Sequence, residues 1–175
     1  MFERSISERT VFSGNIITVK EKIVDMGEGK TSGREIVEHP GAVGILAFDK
    51  NNHLIMVKQF RKAVECELWE IPAGKIEIGE NILDCAKREF KEETGFFAEK
   101  WRFLGEIYTS PGFANEKIFL FEARDLQSGQ QLPDEDEIIT MTAFSEDEIR
   151  KMVLTGLLKD AKTLSALLFY YYLDN

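Results

Sequence analysis

The chain has 175 residues, 43% of them hydrophobic and 30% charged, with a formal net charge of −9. That length suits one domain with a good core, and the composition is that of an ordinary soluble globule. The acidic balance argues against a nucleic-acid-binding surface, which demands basic patches, but leaves open a small anionic substrate whose site is screened by metal ions. Cys66 and Cys85 are the two cysteines. They belong to no CxxC or Cys/His cluster, so reduced, partly buried thiols are expected in preference to a disulfide or a zinc site. The start, MFERSISERT, has no apolar signal region. No run approaches membrane-spanning length, so a cytoplasmic protein without membrane contact is expected.

Residues 6–12 and 16–25 alternate enough to predict two strands, joined at Ser13-Gly14-Asn15. Gly27 to Gly33 then reads as a turn before a third strand over 34–38. These strands carry many charges and are poorly suited to burial on both faces. They predict a small appended sheet that packs on a second subunit. His39-Pro40-Gly41 breaks the chain, and Ala42–Phe48 and 54–60 are apolar runs around the turn Asp49-Lys50-Asn51-Asn52. Both predict core strands of a mixed sheet. Arg61 stands where the second run opens onto a loop. It is either a solvated edge residue or, beside a phosphate site, an anion clamp.

Leu68-Trp69-Glu70-Ile71-Pro72-Ala73-Gly74 is a short strand stopped by proline. Further strands are predicted over 101–109 and 117–124, with Ser110-Pro111-Gly112-Phe113 as the turn between them. Residues 127–137 are polar and strongly acidic, hence a loop, followed by a last strand over 138–144. Ser145 and Glu148 form a capping box for a helix ending near Leu154. Asp160 starts the final helix, with Leu164, Leu167, Leu168 and Tyr171 as its apolar face. About five strands between helices, preceded by a small sheet, make an α/β or α+β sandwich.

The densest chemistry lies between Gly74 and Phe96, in GKIEIGENILDCAKREFKEETGF. Asn81 can cap a helix and Gly95 can end it in a left-handed conformation, which predicts a helix over Ile82–Thr94. Leu83, Ala86 and Phe90 then share one face, while Glu89 and Glu93 lie a turn apart with Glu92 beside them. Arg88 reaches Glu92 at the i, i+4 spacing, yet one guanidinium cannot neutralise these carboxylates and Glu80 together. A hard divalent cation can, and all-oxygen donors suit Mg²⁺ or Mn²⁺ rather than zinc. For a glutamate-rich helix of arbitrary sequence, a solvated acidic face is the alternative.

The order of the residues decides between the two. Gly74 is followed after five residues by Glu80, and after seven more by Arg88-Glu89 and apolar Phe90; then come Glu92-Glu93, Gly95 and apolar Phe96. This resembles the Nudix box at every defining position. The resemblance implies a Nudix-type α/β/α sandwich with a mixed sheet, preceded by a small N-terminal antiparallel sheet. Residues 1–40 would form a dimer-forming sheet region and 41–175 the hydrolase domain. It also implies hydrolysis of a nucleoside diphosphate linked to another group, with divalent ions neutralising the pyrophosphate and lowering the pKa of a bound water. Glu89 and Glu93 are the expected principal metal ligands, with Glu92 sharing or bridging a second ion and the Ala73 carbonyl adding a neutral donor. Arg88 is expected to orient these carboxylates, and Glu80 to stabilise the box or sit in an outer shell.

In related ADP-sugar hydrolases the general base is a glutamate on a loop late in the chain. Within Asp134-Glu135-Asp136-Glu137, Glu137 matches best and Glu135 second, a solvated acidic loop being the alternative. Pro111, inside Ser-Pro-Gly-Phe, resembles the marker of the ADP-ribose pyrophosphatase branch, and LWEIPAGKIE adds weight. In that branch the N-terminal sheet is exchanged across a homodimer. The resemblance therefore implies a homodimer that converts ADP-ribose and water to AMP and ribose 5-phosphate with Mg²⁺, Mn²⁺ being a possible substitute. Arg34, Arg61 and Glu65, together with Pro111, are expected to contact phosphates or ribose, and an unspecified aromatic to stack on adenine. Other nucleotide sugars, NADH or oxidised nucleotides are alternative substrates. A nucleotide-sensing module without activity is a further alternative, against which the intact box argues.

Overall fold

Short apolar runs broken by glycine, proline and polar turns fold here into ten strands and three helices among the described residues. The computed structural model describes residues 3–129 and 139–173. The chain forms two units: residues up to Gly41 with Tyr108–Lys117, and Ala42–Ile107 with the residues from Ile118 on.

The first unit is a three-stranded antiparallel sheet of β1 (Arg4–Ser13), β2 (Thr18–Gly27) and β3 (Lys30–Glu38), in that order. Every residue of β1 is exposed, as its charge content requires. The long turn expected from Gly27 to Gly33 is instead a tight one. Gly27 pairs with Lys30, and Glu28 and Gly29 between them take φ of 56° and 75°, the two positive values that a two-residue hairpin turn needs. Lys30 to Gly33 therefore join the strand, because an exposed sheet accepts polar residues that a buried one would reject. The turn around Pro111 belongs to this unit. Val37 N–H donates to the Phe113 carbonyl (2.7 Å) and Asn115 N–H to the Val37 carbonyl (3.0 Å).

The second unit is built on a seven-stranded mixed sheet, wider than the five strands expected. Its path runs β10 (Thr140–Phe144), β5 (Leu54–Arg61), β4 (Ala42–Phe48), β9 (Lys117–Ser128), β8 (Phe96–Tyr108). In addition β6 (Cys66–Glu70) pairs with β5 and β7 (Ala73–Lys75) with β4. The extra count arises at Pro72, which separates β6 from β7 while its carbonyl accepts the Ile45 N–H (2.8 Å). β4 and β9 are parallel, whereas β4 with β5 and β7, and β5 with β6 and β10, pair antiparallel. Alternate residues of β4 serve two cores, one on each face of the sheet. Val43, Ile45 and Ala47 pack with Phe90, Ala86 and Cys85 of α1 (Ile82–Thr94). Leu46 and Phe48 pack with Ile149 and Met152 of α2 (Glu146–Leu154) and Ala166 and Leu167 of α3 (Ala161–Leu173). Each fully buried large apolar side chain contributes about 1.5–3 kcal/mol. The layers are helix, sheet, helices, an α/β/α sandwich.

α1 runs over the residues expected. Asn81 Oδ1 accepts the Leu83 N–H at 2.9 Å, and Gly95 closes the helix at φ 72°. β8 begins at Phe96, five residues earlier than expected, because Gly95 turns the chain straight back into the sheet. On α3 the buried residues are Lys162, Thr163, Ala166 and Leu167, while Leu168 and Tyr171 are exposed. The apolar sequence hid this rotation: nearly every position of α3 is hydrophobic, so the polar Thr163 marks the inner face better than the leucines do. Cys85 is buried but Cys66 is exposed, and both are free thiols.

Candidate active site

The strand β7, the loop 76–81 and α1 bring the acidic residues of the motif together. Gly79 takes φ 80°, turning the loop so that Glu80 faces back along the helix. The Arg88 guanidinium is the hub. Its Nε and Nη2 donate to Glu80 Oε1 and Oε2 (2.9 Å each). Its Nη1 donates to both Glu89 Oε1 (2.8 Å) and Glu92 Oε2 (3.0 Å), and Nη2 also reaches the Lys75 carbonyl (3.2 Å). Glu93 is buried at 4% exposure and accepts the Ala73 N–H through Oε2 at 3.1 Å. Gly74 is required at its position, since a Cβ there would lie 1.9 Å from the Glu89 carboxyl carbon.

The electrostatics follow from this crowding. The hydrogen bonds from Arg88 hold the Glu80 carboxyl down at about 2, against an opposing effect of burial. Arg88 is pushed above its usual range, first by the Glu80 hydrogen bond and further by the Glu89 charge. Burial pushes the Cys85 thiol up to about 12, with Glu80 adding to the shift. It is an inert core thiol, whose Sγ donates to the Lys75 carbonyl (3.3 Å).

Among the described residues no three His, Cys, Asp or Glu side chains form a ready-made metal cage. The donor set nonetheless fits a hard divalent cation. It offers carboxylate and backbone oxygens only, two carboxylates already gather on a single Arg88 nitrogen, and three carboxylates share one guanidinium. Such ions favour this excess of negative oxygen, which a lone arginine leaves uncompensated.

The remaining expected site residues are divided. Arg61 ends β5 and is gripped at 2.7 Å through Nε and Nη2 by both oxygens of Glu70, which is 2% exposed. The Glu70 hydrogen bond raises Arg61 above its ordinary value, with Glu93 and Asp160 adding charge interactions. Glu65 sits in the turn after β5 at φ 55°, its exposed carboxylate on Lys62. Arg34 and Pro111 belong to the first unit. There Arg34 bonds Glu3 Oε2 (3.1 Å) and Ser32 Oγ (2.8 Å). It lines an open hollow of about 520 Å³ with Lys22, Glu35, Gly112 and Phe113. Glu135 and Glu137 lie outside the described residues.

The sequence reading gave no site role to four polar residues of the second unit that meet in a cluster: Glu70, Asp160, Lys162 and Thr163. Lys162 bonds Glu70 and, at 3.2 Å, Asp160, while Thr163 accepts the Ile71 N–H at 2.9 Å. The available signals were faint: Glu70 is a charge inside an apolar run, and Lys162 is the single charge of α3.

A carboxylate-lined loop and helix packed on one face of an α/β/α sandwich defines a class of proteins with an oxygen-rich site suited to hard cations. Within that class the chain belongs to the Nudix family: the NUDIX domain model matches residues 38–167. The chain is 42% identical to an ADP-ribose pyrophosphatase of Bacillus subtilis strain 168, over 94% of this chain and 90% of that protein. It is 39% identical to a methanol dehydrogenase activator of Bacillus methanolicus, again over 94% and 90%. In fold it matches a crystal structure titled as an ADP compounds hydrolase with a TM-score of 0.87, covering 98% of this chain and 94% of that one at 23% identity.

Proposed function

We propose that the protein is a Mg²⁺-dependent hydrolase that cleaves ADP-ribose to AMP and ribose 5-phosphate. The observation that carries the chemistry is the clustering of Glu80, Glu89 and Glu92 on Arg88 beside the buried Glu93. The choice of substrate is supported by the 42% identity to a protein named for that activity. Glu89, Glu92, Glu93 and the Ala73 carbonyl would hold the metal, with Mn²⁺ as a substitute. When bound, the ion neutralises the non-bridging phosphate oxygens and makes a water acidic enough to attack near neutral pH.

The chain's own residues do the rest. Arg88 keeps the carboxylates of Glu89 and Glu92 from swinging apart, and Glu80 keeps Arg88 in place. Arg61, fixed by Glu70 yet 42% exposed along its side chain, is oriented to pair with a phosphate oxygen. Glu137, or Glu135 two residues earlier, takes the proton from the attacking water. The new P–O bond forms as the bridging P–O bond breaks, and the second phosphate leaves with its oxygen. Arg34, Glu65 and the turn at Pro111 are assigned to holding ribose and phosphate.

We place residues 1–40 in a homodimer interface and 41–175 in the hydrolase domain. The wholly exposed β1 supports an interface there. The setting we assign is cytoplasmic, consistent with two free thiols. No helix among the described residues is long and apolar enough to cross a membrane. The test is hydrolysis by the pure protein, with Mg²⁺, of ADP-ribose beside other nucleotide sugars, NADH and oxidised nucleotides. ADP-ribose should have the highest kcat/KM; a clear preference for another compound would replace the assigned substrate.

A further inference from the structure

The buried polar cluster at the start of α3 meets the site through Glu70, which holds Arg61, but the chemistry above gives no part to Asp160, Lys162 or Thr163. Thr163 is fully buried. Its hydroxyl donates to Asp160 Oδ2 (2.6 Å) and accepts the Ile71 N–H (2.9 Å), while its own N–H also goes to Asp160 Oδ2 (2.9 Å). Lys162, 8% exposed, joins Asp160 Oδ1 to Glu70. Among the described residues no buried side-chain nitrogen or oxygen lacks a partner. The cluster thus clamps Glu70 by its side chain and Ile71 by its backbone, two residues and one residue before Pro72.

Pro72 has its φ fixed by its ring, and its carbonyl is held by the Ile45 N–H. An orientation given to Ile71 therefore passes with little slack to Ala73, whose N–H meets Glu93. Stability alone does not account for the arrangement, since well-packed apolar side chains of the same volume serve a core at least as well as a buried ion pair. We propose that Thr163 and Lys162 are positioning residues of the active site: from α3 they fix the Glu70–Ala73 segment and so set the Ala73 backbone against the Glu93 carboxylate. This inference rests on the metal-binding role given to Ala73 and Glu93 above.

The test uses the full chain and measures Mn²⁺ affinity without substrate, by electron paramagnetic resonance, together with kcat and KM for ADP-ribose and the melting temperature. Thr163→Val keeps the shape and removes the hydroxyl. It should weaken Mn²⁺ binding by about 10-fold or more, the scale seen when groups supporting a metal ligand are removed. It should also lower kcat while leaving KM near the wild-type value, and Thr163→Ser should restore both. Asp160→Asn keeps the helix cap but loses the charged partner of Lys162. It should weaken Mn²⁺ binding in the same direction, and it decides the matter alone should Thr163→Val not fold. Wild-type Mn²⁺ affinity in either folded variant, whatever the melting temperature, overturns the inference while the proposed function stands. A wild-type protein that binds no Mn²⁺ overturns both.

Discussion

Glu80 commits both carboxylate oxygens to Arg88, and the consequence is a stability that depends on pH. Its folded pKa of about 2 lies below the ordinary 4.5. The stabilisation is therefore complete above about pH 4.5 and lost as the pH falls towards 2. Measured in chelator, the melting temperature of Glu80→Gln should trail that of the wild type most near neutral pH, and the gap should shrink on acidification through that window. A gap independent of pH would show that the pair contributes no linked stability. Glu93 and Glu137 divide the labour differently. Glu93→Gln should lower turnover by at least about 10³-fold and raise the metal requirement. Glu137→Gln should lower it by roughly 10²- to 10⁴-fold with Mn²⁺ affinity unchanged. If Glu135→Gln is the damaging variant instead, the assignment shifts by two residues; if neither is, the base lies in the box. At this scale the Arg88 cluster was legible because Glu89 and Glu92 share α1 with Arg88, where helix geometry dictates who meets whom, and Glu80 lies on the short loop just before that helix. Glu70 and Lys162 were not, because 92 positions separate them and only the packing of α3 on the sheet brings them together.

Among the elements, α1 was readable end to end since its signals are local: Asn81 caps, Gly95 stops, and the apolar positions repeat at the helical period. The capping box at Ser145 placed the start of α2 in the same way. What failed was set by neighbours. Lys30 to Gly33 look like a turn until β2 supplies their partners, and the buried side of α3 depends on where the sheet lies. The glycines within β4 and β7, Gly44 and Gly74, separate function from stability. The three atoms nearest a methyl at Gly74 all belong to the Glu89 carboxylate, so Gly74→Ala should displace that carboxylate. Turnover should fall by about 10-fold or more through lost positioning, with little change in melting temperature. At Gly44 a methyl would lie 3.1 Å from Leu120 and 3.2 Å from Ile71, both in the core. Gly44→Ala should therefore cost about 1–3 kcal/mol by overpacking and affect turnover less. Paired thermal melts and assays check the contrast, and an active Gly74→Ala enzyme would remove Glu89 from its assigned role.

For the molecule as a whole, the first unit joins residues far apart in sequence, since Val37 pairs with Phe113 and Asn115. Charge content along β1 to β3 made an exposed sheet legible, but nothing local revealed that the turn after Tyr108 would join it. Deletion of residues 1–38 removes β1 to β3 and leaves that turn without its partner. If the sheet carries the dimer, the truncated protein should sediment as a monomer and lose affinity for ADP-ribose. A fully active monomer would count against both the dimer and the substrate. The central claim, that oxygen donors around Arg88 hold a hard cation that drives pyrophosphate cleavage, is tested most directly by following AMP release from ADP-ribose while the metal is removed and returned. Turnover should vanish in excess chelator and return with added Mg²⁺ or Mn²⁺; undiminished hydrolysis in the chelator would contradict it.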